Sequence, residues 1–129
     1  MDNAALIAAA KEVLVYRELT QLCAVGEASA ALLTEDGQVY VGVSIDAACG
    51  IGFCAEHSAI AQMVTYGGSR ILKIVAIASD GTFLPPCGRC RELIYQVNYD
   101  NVTTEVLLGP ERSVTLAELL PERWSEAWG

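Results

Sequence analysis

The chain has 129 residues, 53% of them hydrophobic, with sixteen acidic side chains against eight basic ones and a formal net charge of −8. That length supports one compact core and not two comfortable ones, so residues 1–129 are expected to form a single domain. Proteins that grip nucleic acid neutralise phosphates with Lys and Arg, which are scarce here, so a nucleic-acid polymer is an unfavourable partner and free anionic nucleotides are disfavoured too. No apolar run approaches the roughly 20 residues of a membrane helix, and Met-Asp-Asn-Ala-Ala is not a basic stretch followed by an apolar block. The expectation is a soluble, cytoplasmic protein with no membrane partner.

In chain order, Leu6, Ala10, Val13, Leu14 and Arg17 fall at helical spacing behind a cap at Asp2 or Asn3. Strands are expected over 28–34 and 38–44, joined as a hairpin by Glu35-Asp36-Gly37. The stretch 54–66 has the apolar spacing of a buried helix, ended by Gly67-Gly68. Residues 71–79 (ILKIVAIAS) read as a central strand covered on both faces. Pro85-Pro86 forces extended backbone before a helix over 88–97. A strand over 103–108 and a last helical turn over 116–120, stopped by Pro121, complete the reading. This order of elements predicts a mixed sheet with helices on both faces.

Five cysteines, at 23, 49, 54, 87 and 90, are an odd number for a disulfide framework, and His57 is the only histidine. Two cysteine groups, Cys54-Ala55-Glu56 and Pro86-Cys87-Gly88-Arg89-Cys90, each fall at the expected start of a helix. Helix N-termini carry partial positive charge and unpaired N–H groups, which favour the thiolate over the thiol. Two helices starting side by side would bring Cys54, Cys87 and Cys90 around one zinc ion and leave the fourth tetrahedral position open, the mark of a catalytic site. Zinc lowers the pKa of water from about 16 to about 7, on the order of 12 kcal/mol of help in forming the nucleophile. Glu56, two residues beyond a ligand, is then placed to move protons.

Each part has a plainer reading. Cys87-x-x-Cys90 alone could be a redox dithiol, and Glu56 alone could be a first-turn acid favoured by the helix dipole. Taken together, the rival to a zinc enzyme is a non-catalytic zinc-binding or dithiol redox protein. Cys23 and Cys49 are expected to be buried or incidental thiols, with Cys49 outside the ligand set, and Gly50 and Gly52 to give the loop its freedom.

With a ligand two residues before a Glu, then Pro-Cys-x-x-Cys, the sequence resembles the cytidine deaminase superfamily. The resemblance runs from Ala28 through LPPCGRCREL to Pro121. It implies a three-layer α/β/α sandwich on a five-stranded mixed sheet, assembled as a homotetramer or, failing that, a dimer. It also implies Zn2+ on Cys54, Cys87 and Cys90, Glu56 as proton shuttle, and the Ala55 backbone against the pyrimidine ring. The implied reaction is hydrolytic deamination of a cytosine ring in a free nucleoside, with a different amino-heterocycle as the alternative.

Several positions depart from the family pattern. The Asn-x-Glu pair that reads the ribose is Ser44-Ile45-Asp46 here, so Ser44 and Asp46 are the expected substrate-binding residues. The aromatic residue that packs near the nucleoside corresponds to Gly26, and Cys-Ala-Glu-Arg has become Cys-Ala-Glu-His. Three thiolates on Zn2+ leave a net charge of −1, so Arg89, together with His57 in the arginine's place, is expected to balance the site from outside the ligand set. The string Cys-Gly-Arg-Cys-Arg and a Trp near the C-terminus, here Trp128, occur in the blasticidin S deaminase branch, which extends the expected substrates to nucleoside-like compounds such as blasticidin S. Trp128 is the expected substrate-closing residue, and Arg91 reads as a solvated or subunit-interface charge.

Overall fold

Consecutive apolar residues along the central strands point to opposite faces of the sheet, and each face is covered in turn. In the computed structural model, which describes residues 1–128, the elements are α1 (Asn3–Glu12), β1 (Arg17–Thr20), β2 (Cys23–Thr34), β3 (Val39–Ala47), α2 (Ala55–Thr65), β4 (Ile71–Ala78), α3 (Gly88–Val97), β5 (Glu105–Leu107), β6 (Ser113–Thr115) and α4 (Leu116–Leu119). Ala30 and Leu32 of β2, with Ile74 and Ala76 of β4, face α2, α3 and α4. Their neighbours Ala31, Leu33, Val75 and Ile77 face α1 through Leu6, Ile7 and Ala10. The period-2 pleat thus supplies two apolar faces from one sheet, and helices cover both. The three-layer α/β/α sandwich is the observed architecture.

β2 is the hub of the sheet. β3 runs antiparallel along one of its edges, from Cys23↔Ala47 to Leu33↔Val39. On the other edge β4 pairs with residues 28–34 and β1 with residues 23–25, both antiparallel. β5 adds parallel to β4, and β6 antiparallel to β5. Because β3 and β4 are both antiparallel to β2, they run parallel to each other. The loops that follow them therefore leave the sheet at the same end, and so α2 and α3 begin side by side.

The sheet has six strands rather than the expected five. β1 is exposed along its whole length, and β6 has three residues. Neither carries the apolar pattern by which a strand is read. The first helix also ends sooner than its spacing suggests. Asp2 caps it by accepting the Ala5 N–H at 2.9 Å, and the helix stops at Glu12. Leu14 still packs into the core, whereas Arg17 opens β1. The remaining elements lie within a few residues of their expected bounds; β2 is the largest difference, starting at Cys23 instead of Ala28.

Asn101 is a fully buried side chain whose importance the sequence does not reveal. Its Nδ2 donates to the Ser69 and Ile94 carbonyls at 3.0 and 2.8 Å, and its Oδ1 accepts the Ile71 N–H at 2.8 Å. Thr104 adds a hydroxyl bond to the Ile71 carbonyl at 2.6 Å. One side chain thus holds the end of α3 and the start of β4 in register. Asn101→Ala would leave several buried backbone groups without partners, so it should destabilise the fold by about 3 kcal/mol in urea unfolding. A loss below about 1 kcal/mol would show that these bonds are dispensable.

Candidate active site

Cys54 is the N-cap of α2 and Cys87 the N-cap of α3, both with extended backbone, and Cys90 sits in the first turn of α3. The Cys54 sulfur makes no capping bond to its helix, and that of Cys87 lies close to the N–H groups of Arg89 and Cys90. Cys54 Sγ lies 3.6 Å from Cys87 Sγ, and Cys87 Sγ 3.5 Å from Cys90 Sγ. All three sulfurs fall within 4.8 Å of one another. Zinc–thiolate bonds of about 2.3 Å at tetrahedral angles put sulfurs roughly 3.8 Å apart. The spacing and the all-thiolate donor set therefore fit zinc.

Each ligand segment is brought in by a defined backbone device. Ile45 and Phe53 exchange N–H···O bonds of 3.0 and 2.9 Å, which returns the chain to β3 just before Cys54. The return is tight: a Cβ on Gly52 would lie 2.2 Å from the Ile45 carbonyl oxygen. Gly52 is thus required for close approach, not for the loop's freedom. Ser58 of α2 donates to the Val43 carbonyl at 2.7 Å and fixes the helix on β3. On the other side, the Leu84 N–H donates to Ala76 O at 2.9 Å before the two prolines lead into Cys87.

The thiols differ in their environments. Burial works against the Cys87 thiolate, yet the N–H groups of Cys90 and Arg89 and the neighbouring thiols outweigh it and hold its pKa below the usual value. Burial, then Cys87 and the Glu56 charge, push the Cys54 thiol up. Cys90 is raised far above the ordinary range, by burial first and then by the Glu56 charge. In a metal-free site the helix N-termini support one thiolate readily, and the others need a cation.

Glu56 is 6% exposed, next to the sulfurs in the first turn of α2. Its surroundings are apolar: Ile74, Ala76, Leu84, Pro86 and Val106. Burial raises its carboxyl pKa, while its own N–H and the Cys90 thiol bring it part of the way back. A carboxyl held above its usual range binds a proton more readily than a free one, which suits a proton carrier.

Cys54, Cys87 and Glu56 open onto a cavity of about 510 Å³. Ser44, Asp46, Ala55 and Arg89 also line it. The Ser44 hydroxyl accepts the Ala28 N–H at 3.0 Å, which leaves its own proton to offer. Asp46 is exposed at the cavity. Arg89 makes no side-chain hydrogen bond among the described residues; its backbone N–H, rather than its guanidinium, supports Cys87. His57 places Nδ1 3.4 Å from Cys90 Sγ. Burial, followed by the charge of Arg89, lowers its pKa.

Trp128 does not line the cavity in the single chain; it packs edge-on against Trp124, 5.6 Å between ring centroids, and is 74% exposed. Cys23 and Cys49 lie outside the sulfur cluster. Gly26 lies inside β2, and a Cβ there would sit 2.0 Å from the Val15 carbonyl oxygen. No aromatic side chain fits at that point of the backbone. Phe53 and Leu84 are cavity walls that sequence reasoning missed, because their position depends on the two backbone returns just described.

Residues 4–106 match the family model described as the cytidine and deoxycytidylate deaminase zinc-binding region. A cytidine deaminase from Mycobacterium tuberculosis is 35% identical over 95 residues, covering 72% of this chain and 68% of that protein. A blasticidin-S deaminase from Bacillus cereus is 32% identical over 105 residues, covering 74% of this chain and 75% of that protein. Among solved structures, the M. tuberculosis cytidine deaminase superposes with a TM-score of 0.80 at 26% identity, covering 96% of this chain and 98% of that one. The cytidine deaminase from Burkholderia pseudomallei gives 0.77 at 28% identity, covering 96% and 100%.

The sulfur geometry leads to a direct measurement. The purified chain should carry about one zinc, and Cys87→Ala should lose it and melt about 10 °C lower, because the ion joins two helix starts. Elemental analysis and calorimetry check both; unchanged zinc content in the variant would remove Cys87 from the ligand set.

Proposed function

The chain belongs to the cytidine and deoxycytidylate deaminase family, and from that membership we propose that it removes the exocyclic amine of a cytosine ring in a free nucleoside, with Glu56 as the proton carrier. The reaction is zinc-dependent hydrolysis, turning cytidine or deoxycytidine and water into uridine or deoxyuridine and ammonia. The observation that carries the residue assignment is the buried Glu56 beside three clustered sulfurs on a cavity wide enough for a nucleoside.

Cys54, Cys87 and Cys90 are the residues we assign to zinc, which supplies Lewis acidity that makes water a ready nucleophile at neutral pH. Glu56 takes a proton from the attacking water and passes it to the ring nitrogen beside the carbon under attack. It then carries the second proton to the departing amine as the C–N bond breaks and the new oxygen becomes a carbonyl. Its apolar surroundings keep the carboxyl at a proton affinity suited to both transfers. His57 faces Cys90, and in our reading it donates to that sulfur and withdraws some of the thiolate charge. Arg89 contributes its positive field at the cavity and its N–H to Cys87.

Ala55, Ser44 and Asp46 are the residues we assign to the substrate. The Ala55 backbone faces the ring, and the Ser44 hydroxyl and Asp46 carboxylate face its substituent. An acidic group at the cavity and a net charge of −8 favour a nucleoside over a nucleotide. The likeness to a blasticidin-S deaminase supports nucleoside-like compounds such as blasticidin S as further substrates.

The apolar groove between α2 and α3, lined by His57, Ile60, Val64 and Leu93, is the face we assign to a second copy in a homotetramer. Trp128 would meet a substrate only if a neighbouring copy brought it there. Five unpaired cysteines suit a reducing compartment such as the cytoplasm.

Glu56→Gln should keep the zinc and the fold yet lose about 10²–10⁴-fold in kcat, measured as ammonia release from cytidine, deoxycytidine, free cytosine, blasticidin S and guanine. Turnover of cytidine at the parent rate would end the proton-carrier assignment. Asp46→Ala should raise KM for cytidine roughly tenfold, as loss of a charge-assisted hydrogen bond does. An unchanged KM would remove Asp46 from substrate binding.

A further inference from the structure

Of the three sulfurs, that of Cys87 is the least secured by its own surroundings. Cys90 is fully buried inside a helix, and Cys54 follows the two-way backbone pairing of Ile45 with Phe53. Cys87 is exposed and follows Pro85 and Pro86, which have no N–H groups to anchor the segment. The last backbone donor before it is Leu84, three residues back, bonded to Ala76. What remains to hold this stretch is the carbonyl of Pro86, a buried residue. A buried carbonyl without a donor is costly.

Arg91 provides that donor. Its Nε donates to the Pro86 carbonyl at 2.7 Å, and its backbone N–H donates to the Cys87 carbonyl at 2.9 Å. One residue therefore holds the carbonyls on both sides of the Cys87 Cα. The geometry is natural to a helix, where a side chain four residues on leans back over the first turn. The other arm of the guanidinium, Nη1, donates to the Leu119 carbonyl at 3.0 Å, at the end of α4. Arg91 is half-buried between them, a cross-brace within the chain where the sequence suggests a solvated or subunit-interface charge.

We propose that Arg91 is a positioning residue for Cys87, holding the zinc-ligand loop against α4 and so setting how fast the ion is released. This rests on the reading of Cys54, Cys87 and Cys90 as the zinc ligands. The guanidinium spans the Pro86 and Leu119 carbonyls with a planar fork, which neither a single ammonium nor an amide of shorter reach can reproduce.

The test is zinc transfer from the loaded enzyme to a chromogenic chelator, compared with the unfolding rate of the same protein without chelator. Removing a group that orients a metal ligand weakens the metal site by roughly 10–100-fold. Arg91→Gln should therefore release zinc about tenfold faster, with an unfolding rate within about threefold of the parent, and Arg91→Lys should fall between the two. Release from Arg91→Gln at the parent rate overturns the proposal. So does unfolding accelerated as much as release, which would make the arginine a general brace. Should Arg91→Gln fail to fold, Arg91→Lys decides by the same comparison. A parent enzyme that binds no zinc would instead sink the assignment of the ligands themselves, so the two failures are distinguishable.

Discussion

Three sulfurs must be gathered within a few ångströms of one another, and most of the structure can be understood from that constraint. The donors come from two helix starts 33 residues apart, Cys54 and Cys87, which the strand directions bring together. β3 and β4 flank β2 and are both antiparallel to it, so both deliver their following loops to one end of the sheet. The helices then begin beside each other with their N–H groups directed toward the same point. Had either strand run the other way, its cysteine would emerge at the opposite end of the molecule. The hairpin between β2 and β3 is thus part of the active site's architecture even though its turn lies far from the sulfurs.

Gathering the donors creates an electrostatic problem that the local structure offsets only in part. Three thiols and the Glu56 carboxyl crowd together, and the thiols of Cys54 and Cys90 resist ionisation for that reason as well as through burial. Helix N-termini, which carry about half a positive charge each, stabilise Cys87 most. A divalent cation is the remaining counter-charge, so metal binding and ionisation of the cluster are one event. His57, beside Cys90, stands where the family pattern has an arginine.

The sulfur cluster and Glu56 were legible in the sequence because helix starts are announced by local chemistry: two prolines before Cys87, a glycine-containing loop before Cys54, and apolar periodicity after each. The buried strands were legible for the same reason, since ILKIVAIAS admits little besides a strand covered on both faces. What was not legible depends on distant partners. β1 is a polar tetrapeptide that becomes a strand only because β2 extends back to Cys23 and offers a free edge. Asn101 looks like any loop asparagine until α3 and β4 are brought to it. Arg91 read as a surface charge because nothing in Cys-Arg-Glu indicates that Leu119 will end a helix beside it.

The same distinction explains why the reaction is easier to read than the substrate. The sulfurs and Glu56 lie at helix starts, while the cavity beside them is assembled from β3, its following loop and the segment before α3. Gly26 illustrates how the two are coupled. The backbone of β2 packs so closely on Val15 that no side chain fits, and the aromatic wall expected from the family is absent. Part of the remaining wall is Phe53, held by its pairing with Ile45, which lies between the cavity-lining Ser44 and Asp46. The residue that secures the first zinc-ligand segment therefore also shapes the cavity, and a substitution that loosens one will disturb the other.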